Sequence, residues 1–200
     1  MARKKRLNVE QILRKAVGNS KKLQGLAYGA AKKKAERLKR EALEELNAHP
    51  VTRELERGPS GMGSSLLGGR GNFFGFLGFD SGYDPVTIVR DAFEKSIGIR
   101  NRKGVLKQQT KKSLFWEFDI NYPSVADIYN VTQNELEWTT RSWVKGVEKG
   151  ITNYVHTVFK ETERSRSGVA LQLERKIGFI NFSPTPYITP IIQKLTKELK

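Results

Sequence analysis

Apolar positions along the chain follow a helical period up to about residue 105. Asn8 can cap a first helix that ends at Gly18. Ser20 can cap a second helix of about 27 residues, which ends before Pro50. The apolar stripe of this second helix is narrow and mostly alanine, so we expect it to pack on a neighbouring element rather than to nucleate a core.

A third helix is predicted directly after the glycine-rich middle of the chain. Asp84 is placed to cap it, and Pro85 suits its first position because proline has no N–H to leave unpaired there. Gly98 is a typical helix stop. One face of this helix is apolar and consists of Val86, Val89, Phe93 and Ile97.

Beyond residue 105 the apolar period changes from 3.6 to 2, which is typical of half-buried strands. Ser124 with Asp127 can open a short helix, and Thr189 with Pro190 can open a final one. We therefore predict the α+β class, with a mostly antiparallel β-sheet packed with helices and preceded by a long N-terminal helical extension and a Gly/Phe-rich arm. The predicted strands cover 114–122, 143–151, 154–160 and 169–177.

Three consecutive regions follow from these patterns. Residues 1–57 form a basic helical extension, 58–83 form the Gly/Phe-rich arm, and 84–200 form the α+β domain.

The arm combines the backbone freedom of a linker with the side chains of a core. Nine of the chain's eighteen glycines fall within the 25 residues 58–82, together with large apolar side chains. Flexible linkers are not rich in phenylalanine, so we expect the arm to stay loose in a monomer and to become ordered against another copy of the chain. The predicted interface residues are Leu66, Leu67, Phe73, Phe74, Phe76 and Phe79.

Positive charge is concentrated at the N-terminal end. The chain has a net charge of +15, and residues 1–40 alone carry fourteen Lys/Arg against two Glu. This imbalance favours contact with nucleic acid or an acidic protein surface, although a solvated helix face would look the same. Tyr28 alone interleaves with these cations, so a single-strand stacking platform is not expected. The candidate contacts are Arg3, Lys4, Lys5, Arg6, Lys32, Lys33 and Lys34.

Catalytic and cofactor chemistry finds little support in the residue types. The chain has no cysteine and two histidines, His49 and His156, which share no metal-ligand spacing. The segment 69–75 has the pattern GxGxxxG rather than GxGxxG, and no strand is predicted before it. Glu117 and Asp119 lie on the same face of a predicted strand, where two carboxylates could converge. Polar residues on the solvent-facing side of a sheet explain this arrangement more simply than a catalytic pair does. We expect no enzyme activity, no cofactor and no metal.

No membrane contact is expected either, because no apolar run reaches the roughly 18 residues of a membrane helix.

Three short motifs occur in order in the C-terminal half. They are WVKGVEKGI at 143–151, SRSGVALQ at 165–172 and TPYITP at 185–190. Their order and spacing resemble the tail-completion (head–tail connector, neck) proteins of tailed bacteriophages. The resemblance covers about residues 105–200, and the first 100 residues depart from the compact members of that family.

The resemblance implies a non-catalytic subunit of a homo-oligomeric ring that joins the DNA-filled head, on its portal or adaptor side, to the tail. Its implied partners are other copies of itself and the neighbouring portal, adaptor and tail proteins, with non-specific contact to packaged DNA as a further expectation. Its implied location is the virion, assembled in the host cytoplasm. The structural residues carried over are Trp143, Arg166, Gly168, Pro186 and Tyr187.

Two alternatives stay open at this point. The first is a basic, non-specific nucleic-acid-binding protein that lays its N-terminal helix along phosphates. The second, weaker one is an enzyme acting on nucleic acid, which would require metal-binding carboxylates that the sequence does not bring together.

Overall fold

The computed structural model describes eight stretches of the chain. These are residues 20–69, 71–102, 104–109, 114–133, 142–150, 154–157, 170–173 and 182–199. The predicted helix at 8–18 and the residues Arg3 to Arg6 lie outside these stretches.

The chain divides into two compact units, each made of separate segments. Unit 1 comprises Met1–Leu38 and Ile97–Tyr122, and unit 2 comprises Lys39–Ser96 and Pro123–Lys200. The three consecutive regions expected from the sequence are therefore divided differently, because segments distant in the chain join the same unit.

The long N-terminal helix, α1, spans Lys21–Ala48 and has 28 residues. It follows Ser20 directly, as predicted, and the Gln24 N–H donates to the Ser20 carbonyl over 3.0 Å. Ala35 and Ala42 are buried, so the alanine stripe is a packed face as expected. Residues of α1 up to Leu38 belong to unit 1, and those from Lys39 onward belong to unit 2.

The second segment of unit 1 is built from short strands, which are β1 (Gly98–Ile99), β2 (Val105–Gln109), β3 (Leu114–Glu117) and β4 (Ile120–Asn121). β2 pairs with β3 and β1 pairs with β4, both antiparallel. The predicted single strand at 114–122 is therefore two strands, because its two halves pair with different partners.

An aromatic contact joins α1 to the strands within unit 1. The rings of Tyr28 and Phe118 lie 6.1 Å apart between centroids. The Arg102 guanidinium carbon lies 6.0 Å from the centre of the Tyr28 ring, within cation–π range. Gly104 has a φ of +38°, and a Cβ there would lie 2.6 Å from Phe118 Cε1, so only glycine fits beside this ring.

Unit 2 contributes most of the described helices and one strand pair. Its elements are α2 (Pro50–Glu56), α3 (Phe73–Phe76), α4 (Pro85–Ser96), α5 (Val125–Val131), α6 (Trp143–Lys149), β5 (Tyr154–Thr157), β6 (Ala170–Leu173) and α7 (Ile188–Leu199). β5 and β6 pair antiparallel, with Tyr154 opposite Leu173, and they confirm the core of the strands predicted at 154–160 and 169–177.

Two helix starts in unit 2 follow the local signals in the sequence. The Asp84 carboxylate accepts hydrogen bonds from the N–H groups of Val86 at 3.0 Å and Thr87 at 3.2 Å, which confirms the cap of α4. Ser124 and Asp127 form a reciprocal capping box at the start of α5, which confirms that predicted helix.

The strand predicted at 143–151 is wrong, because Trp143–Lys149 forms α6. The Ser142 hydroxyl accepts from the Lys145 N–H over 3.1 Å and caps this helix. Trp143, Val144 and Val147 are buried, and their spacing of i, i+1 and i+4 places them on one face of a helix, whereas Val144 and Val147 would lie on opposite faces of a strand. The helix ends at Gly150, whose φ of +105° strongly favours glycine.

The protein therefore belongs to the α+β class, with helix predominating. Among the described residues, the strands form three separate two-stranded antiparallel ladders, β1 with β4, β2 with β3, and β5 with β6.

Candidate functional site

The Gly/Phe segment is folded within a single copy of the chain, so the prediction of a loose arm is wrong. It contains α3 and two short 3-10 helices, Gly58–Ser60 and Ser65–Leu67. A single copy of the chain already buries these apolar side chains, so no second copy is needed to shield them from solvent. The apolar residues of the segment that are at most 3% exposed are Leu67, Phe73, Phe74, Phe76 and Phe79, whereas Leu66 is half-buried.

A buried carboxylate holds the first half of this segment. Glu54 of α2 is 6% exposed and accepts from the N–H groups of Ser65 at 2.8 Å and Leu66 at 3.2 Å. The hydroxyls of Ser64 and Ser65 also donate to it. These donors satisfy the buried charge with backbone and hydroxyl groups, which fixes the loop onto α2.

A buried amide holds the second half. The Asn72 carbonyl oxygen accepts from the Gly75 N–H over 2.6 Å and caps α3. The Asn72 amide nitrogen donates to the carbonyls of Gly58 at 2.8 Å and Gly61 at 3.0 Å. One side chain therefore starts the helix that carries the phenylalanines and closes the loop that precedes it.

Two of the family-motif residues, Trp143 and Tyr187, meet in the core of unit 2. Their rings are 6.0 Å apart between centroids, and the Tyr187 ring lies 4.8 Å from that of His49. The Tyr187 hydroxyl shares a 2.8 Å hydrogen bond with Thr52 of α2. Tyr187 is fully buried, which raises the pKa of its hydroxyl and keeps it neutral. We call Thr52, Trp143, Glu148 and Tyr187 the anchor cluster.

The other motif residues are placed differently. Pro186 is exposed and directly precedes Tyr187. Arg166 and Gly168 lie outside the described residues.

Glu148 of α6 ties the final helix into the anchor cluster. Its carboxylate accepts from the N–H groups of Tyr187 at 3.0 Å and Thr189 at 2.7 Å, and from the Thr189 hydroxyl at 2.8 Å. The Tyr129 hydroxyl donates to it over 2.6 Å. These contacts satisfy N–H groups at the start of α7. The cap predicted from Thr189 is therefore replaced by the Glu148 carboxylate, which comes from another helix.

The surroundings of the Glu148 carboxylate shift its pKa. Burial alone would raise the pKa of Glu148, but the hydrogen bonds from Tyr129, Thr189 and Tyr187 outweigh it and hold the pKa below its ordinary value. Burial, with the same hydrogen bond to Glu148, raises the pKa of Tyr129 to about 12. The pair is therefore a carboxylate bound by a neutral phenol at neutral pH.

The lysine cluster predicted for contact with an anion lies on the first part of α1. Lys32, Lys33 and Lys34 are all exposed, next to the buried Ala35. Consecutive residues on a helix point about 100° apart, so the three amines cover a wide arc of the helix surface.

The histidines and carboxylates singled out from the sequence do not gather into a reactive group among the residues that can be described. His49 caps α2, where its Nδ1 accepts from the Val51 N–H over 3.2 Å, and burial lowers its pKa. Within the described stretches, no group of three or more His, Asp or Glu residues is arranged to hold a metal ion. The helices of those stretches include none that combines the length and apolarity needed to cross a membrane.

No protein-family model matches the chain, and no match is found for it among curated proteins or solved structures. Function is therefore proposed from the geometry of the described residues and from the resemblance of the three motifs.

Several residues that organise unit 2 had no signal in the sequence. Thr52 and Tyr187 are 135 positions apart, and Glu148 and Thr189 are 41 apart. No local spacing in the sequence predicts hydrogen bonds between residues so far apart. Asn72 did carry a signal that was missed, because asparagine before an apolar run is a typical helix cap.

Proposed function

We propose that this protein is a structural virion component of the phage neck, which forms a homo-oligomeric ring joining the DNA-filled head, on its portal or adaptor side, to the tail. The observation that supports this most is the seating of the Pro186–Tyr187 segment. In the family resembled, such a segment leads into a final helix that packs on the body of the subunit. Here Tyr187 is fully buried and α7 follows it immediately.

The anchor cluster suits a subunit that carries mechanical load. It connects α7 to α6 through Glu148, and to α2 through Thr52. Hydrogen bonds made across a packed core resist displacement of the helix better than apolar contact alone, because each is directional. The finer architecture proposed is the connector type, a mostly antiparallel sheet covered by helices, to which β5 and β6 would belong.

Contacts between subunits are assigned to exposed surface rather than to the phenylalanines of the Gly/Phe segment. Those phenylalanines are already buried within one copy, and withdrawing even one of them would cost about 1.5–3 kcal/mol.

The mass of the assembled species tests the proposal. Purified full-length protein is examined by native mass spectrometry and by particle imaging. The expected result is a closed ring with one subunit number. A species that stays monomeric over the whole accessible concentration range would contradict the proposal.

A second function is favoured by one observation, the exposure of Lys32, Lys33 and Lys34 on α1. It is non-specific nucleic-acid binding by the N-terminal helix in a protein that forms no ring. Salt-dependent DNA affinity of the full chain, combined with a monomeric mass, would favour this alternative.

A further inference from the structure

The net charge of the protein belongs almost entirely to unit 1. The two segments of unit 1 contain eighteen Lys/Arg and four Asp/Glu, a net charge of +14. The two segments of unit 2 also contain eighteen Lys/Arg, but seventeen Asp/Glu, a net charge of +1. The charge excess therefore follows the three-dimensional division of the chain and not merely its N-terminal end.

The strand segment, Ile97–Tyr122, supplies part of this excess. It carries six Lys/Arg against two acids and lies in the same compact unit as the first part of α1. Arg100 and Arg102 are exposed, and Arg102 lies 6.0 Å from the ring of Tyr28. Lys32 is one helical turn beyond Tyr28, so it lies on the face of α1 that carries the ring contacted by Arg102, although the two cations are 70 positions apart in sequence.

The chemistry of this surface suits phosphates better than an acidic protein. Protein interfaces are depleted in lysine and have an apolar centre, whereas phosphate contacts come from dispersed lysine and arginine. The most exposed large apolar side chains of unit 1, among those described, are Leu26 and Val105, which lie on different elements. From Lys21 to Lys34 the helix extends about 20 Å, which is about six base pairs of DNA.

We propose that unit 1 is a composite surface for the phosphate backbone of double-stranded DNA, formed jointly by the first part of α1 and by the strand segment. Arg100 and Arg102 are its new contact residues, and Lys32 to Lys34 complete it on the helix side. The proposal rests on the DNA contact expected within the proposed function, but it does not require the ring.

The test measures salt-dependent binding of the full-length chain to a labelled, random-sequence duplex of about 30 base pairs by fluorescence anisotropy. The variant Arg100→Gln/Arg102→Gln removes two charges from unit 1. Its matched control, Lys145→Gln/Lys149→Gln, removes two exposed charges from α6 in unit 2. Each phosphate contact contributes about 0.9 to the slope of log K against log salt, so the unit 1 variant should lose about 1.8 while the control keeps the wild-type slope.

Two further variants keep the result interpretable. Arg100→Lys/Arg102→Lys retains the charges and should recover most of the slope. Lys32→Gln/Lys33→Gln changes only exposed helix positions and should again lose about 1.8, even if the arginine variant fails to fold. Circular dichroism identifies a variant that has lost its helices.

Three results would overturn the proposal. The first is an equal loss of slope in the unit 1 variants and the unit 2 control, which would show a response to net charge alone. The second is the absence of salt-dependent DNA binding by the wild-type chain. The third is tighter binding to polyglutamate than to DNA at the same salt concentration, which would assign the surface to an acidic protein.

The mass measurement separates this inference from the proposed function. A closed ring without DNA binding would contradict the composite surface alone. A DNA-binding monomer would contradict the ring alone.

Discussion

Units 1 and 2 contain the same number of basic residues but use them in different ways. In unit 2 seventeen acids accompany the eighteen cations, and some form ion pairs, such as Lys194 with Glu45 at 2.8 Å. In unit 1 only four acids accompany the eighteen cations. A nearly neutral unit can pack compactly without self-repulsion, whereas an unneutralised one is suited to an anionic partner.

The described cores of the two units also differ. The largest fully buried side chains, among them Tyr187, Phe73 and Phe93, all belong to unit 2. In unit 1, the buried apolar residues among those described are Ala35, Leu38 and Ile97. Packing therefore dominates the chemistry of unit 2, and charge dominates that of unit 1.

The largest expected effect follows from removing a core aromatic side chain of unit 2. Phe93 of α4 is fully buried, so Phe93→Ala should lower the free energy of unfolding by about 3–5 kcal/mol, through lost burial and the cavity left behind. Urea unfolding followed by circular dichroism measures the loss. The matched change in unit 1 is Leu26→Ala, at a side chain 66% exposed, and it should stay within about 0.5 kcal/mol. Equal losses would remove the contrast between the units.

The next effect concerns the amide that closes the Gly/Phe segment. Asn72→Ala removes the cap of α3 and the donor to the Gly58 and Gly61 carbonyls, which should cost about 2–3 kcal/mol. Asn72→Asp should not restore the loss, because it keeps the cap but directs a negative charge at those carbonyls. Asn130→Ala, at an exposed position of α5, is the control. If both variants at Asn72 retained wild-type stability, Asn72 would not be what fixes the segment.

A steric change tests unit 1, which has fewer buried apolar side chains among the described residues. Gly104→Ala places a methyl group against the Phe118 ring at a positive φ, and should destabilise unit 1 by about 2 kcal/mol. Hydrogen exchange should accelerate in the amides of β2 and β3, while the amides of α4 and α7 should keep their protection. Acceleration spread evenly over both units would show that they open together.

The smallest effect depends on pH and belongs to the anchor cluster. Because the folded-state pKa of Glu148 lies below its ordinary value of 4.5, its contribution to stability is complete above that value and is lost as pH falls through the folded pKa. Glu148→Gln should therefore cost about 1 kcal/mol at pH 7, and the difference from wild type should shrink below pH 4.5.

Urea midpoints from neutral pH downward measure this difference. Glu94→Gln, an exposed position of α4, serves as the control and should follow the wild-type curve. A Glu148→Gln penalty that grew on acidification would have the wrong sign for a carboxylate that is stabilised in its charged form.

Local features of this fold were predictable from sequence, and long-range ones were not. The starts of α1, α4 and α5 followed from Ser20, Asp84 and Ser124, because a cap acts on the backbone two or three residues away. The α6 helix was missed although Val144 and Val147 are spaced as on a helix face, because its seven residues make only about two turns and give a weak periodic signal.

The candidate sites show the same limit. From the composition of the Gly/Phe segment we expected its phenylalanines to be buried against another copy of the chain, whereas the structure buries them within one copy, because composition does not identify which residues surround a side chain. Two of the four residues of the anchor cluster, Trp143 and Tyr187, were named from the motifs as structural residues. The roles of Thr52 and Glu148 could be identified only from the structure. The charge excess of unit 1 was visible only at its N-terminal end, because the contribution of the strand segment depends on tertiary proximity.

The hydrogen bond between Thr52 and Tyr187 has a consequence for protein synthesis. Because the two residues are 135 positions apart, the centre of unit 2 cannot close while translation is still short of Tyr187. Until then a nascent chain presents Trp143 and His49 without the Tyr187 ring that packs against both of them. A chain truncated before Tyr187 therefore keeps apolar surface open to chaperones and to aggregation, although all of the helices up to α6 have already been translated.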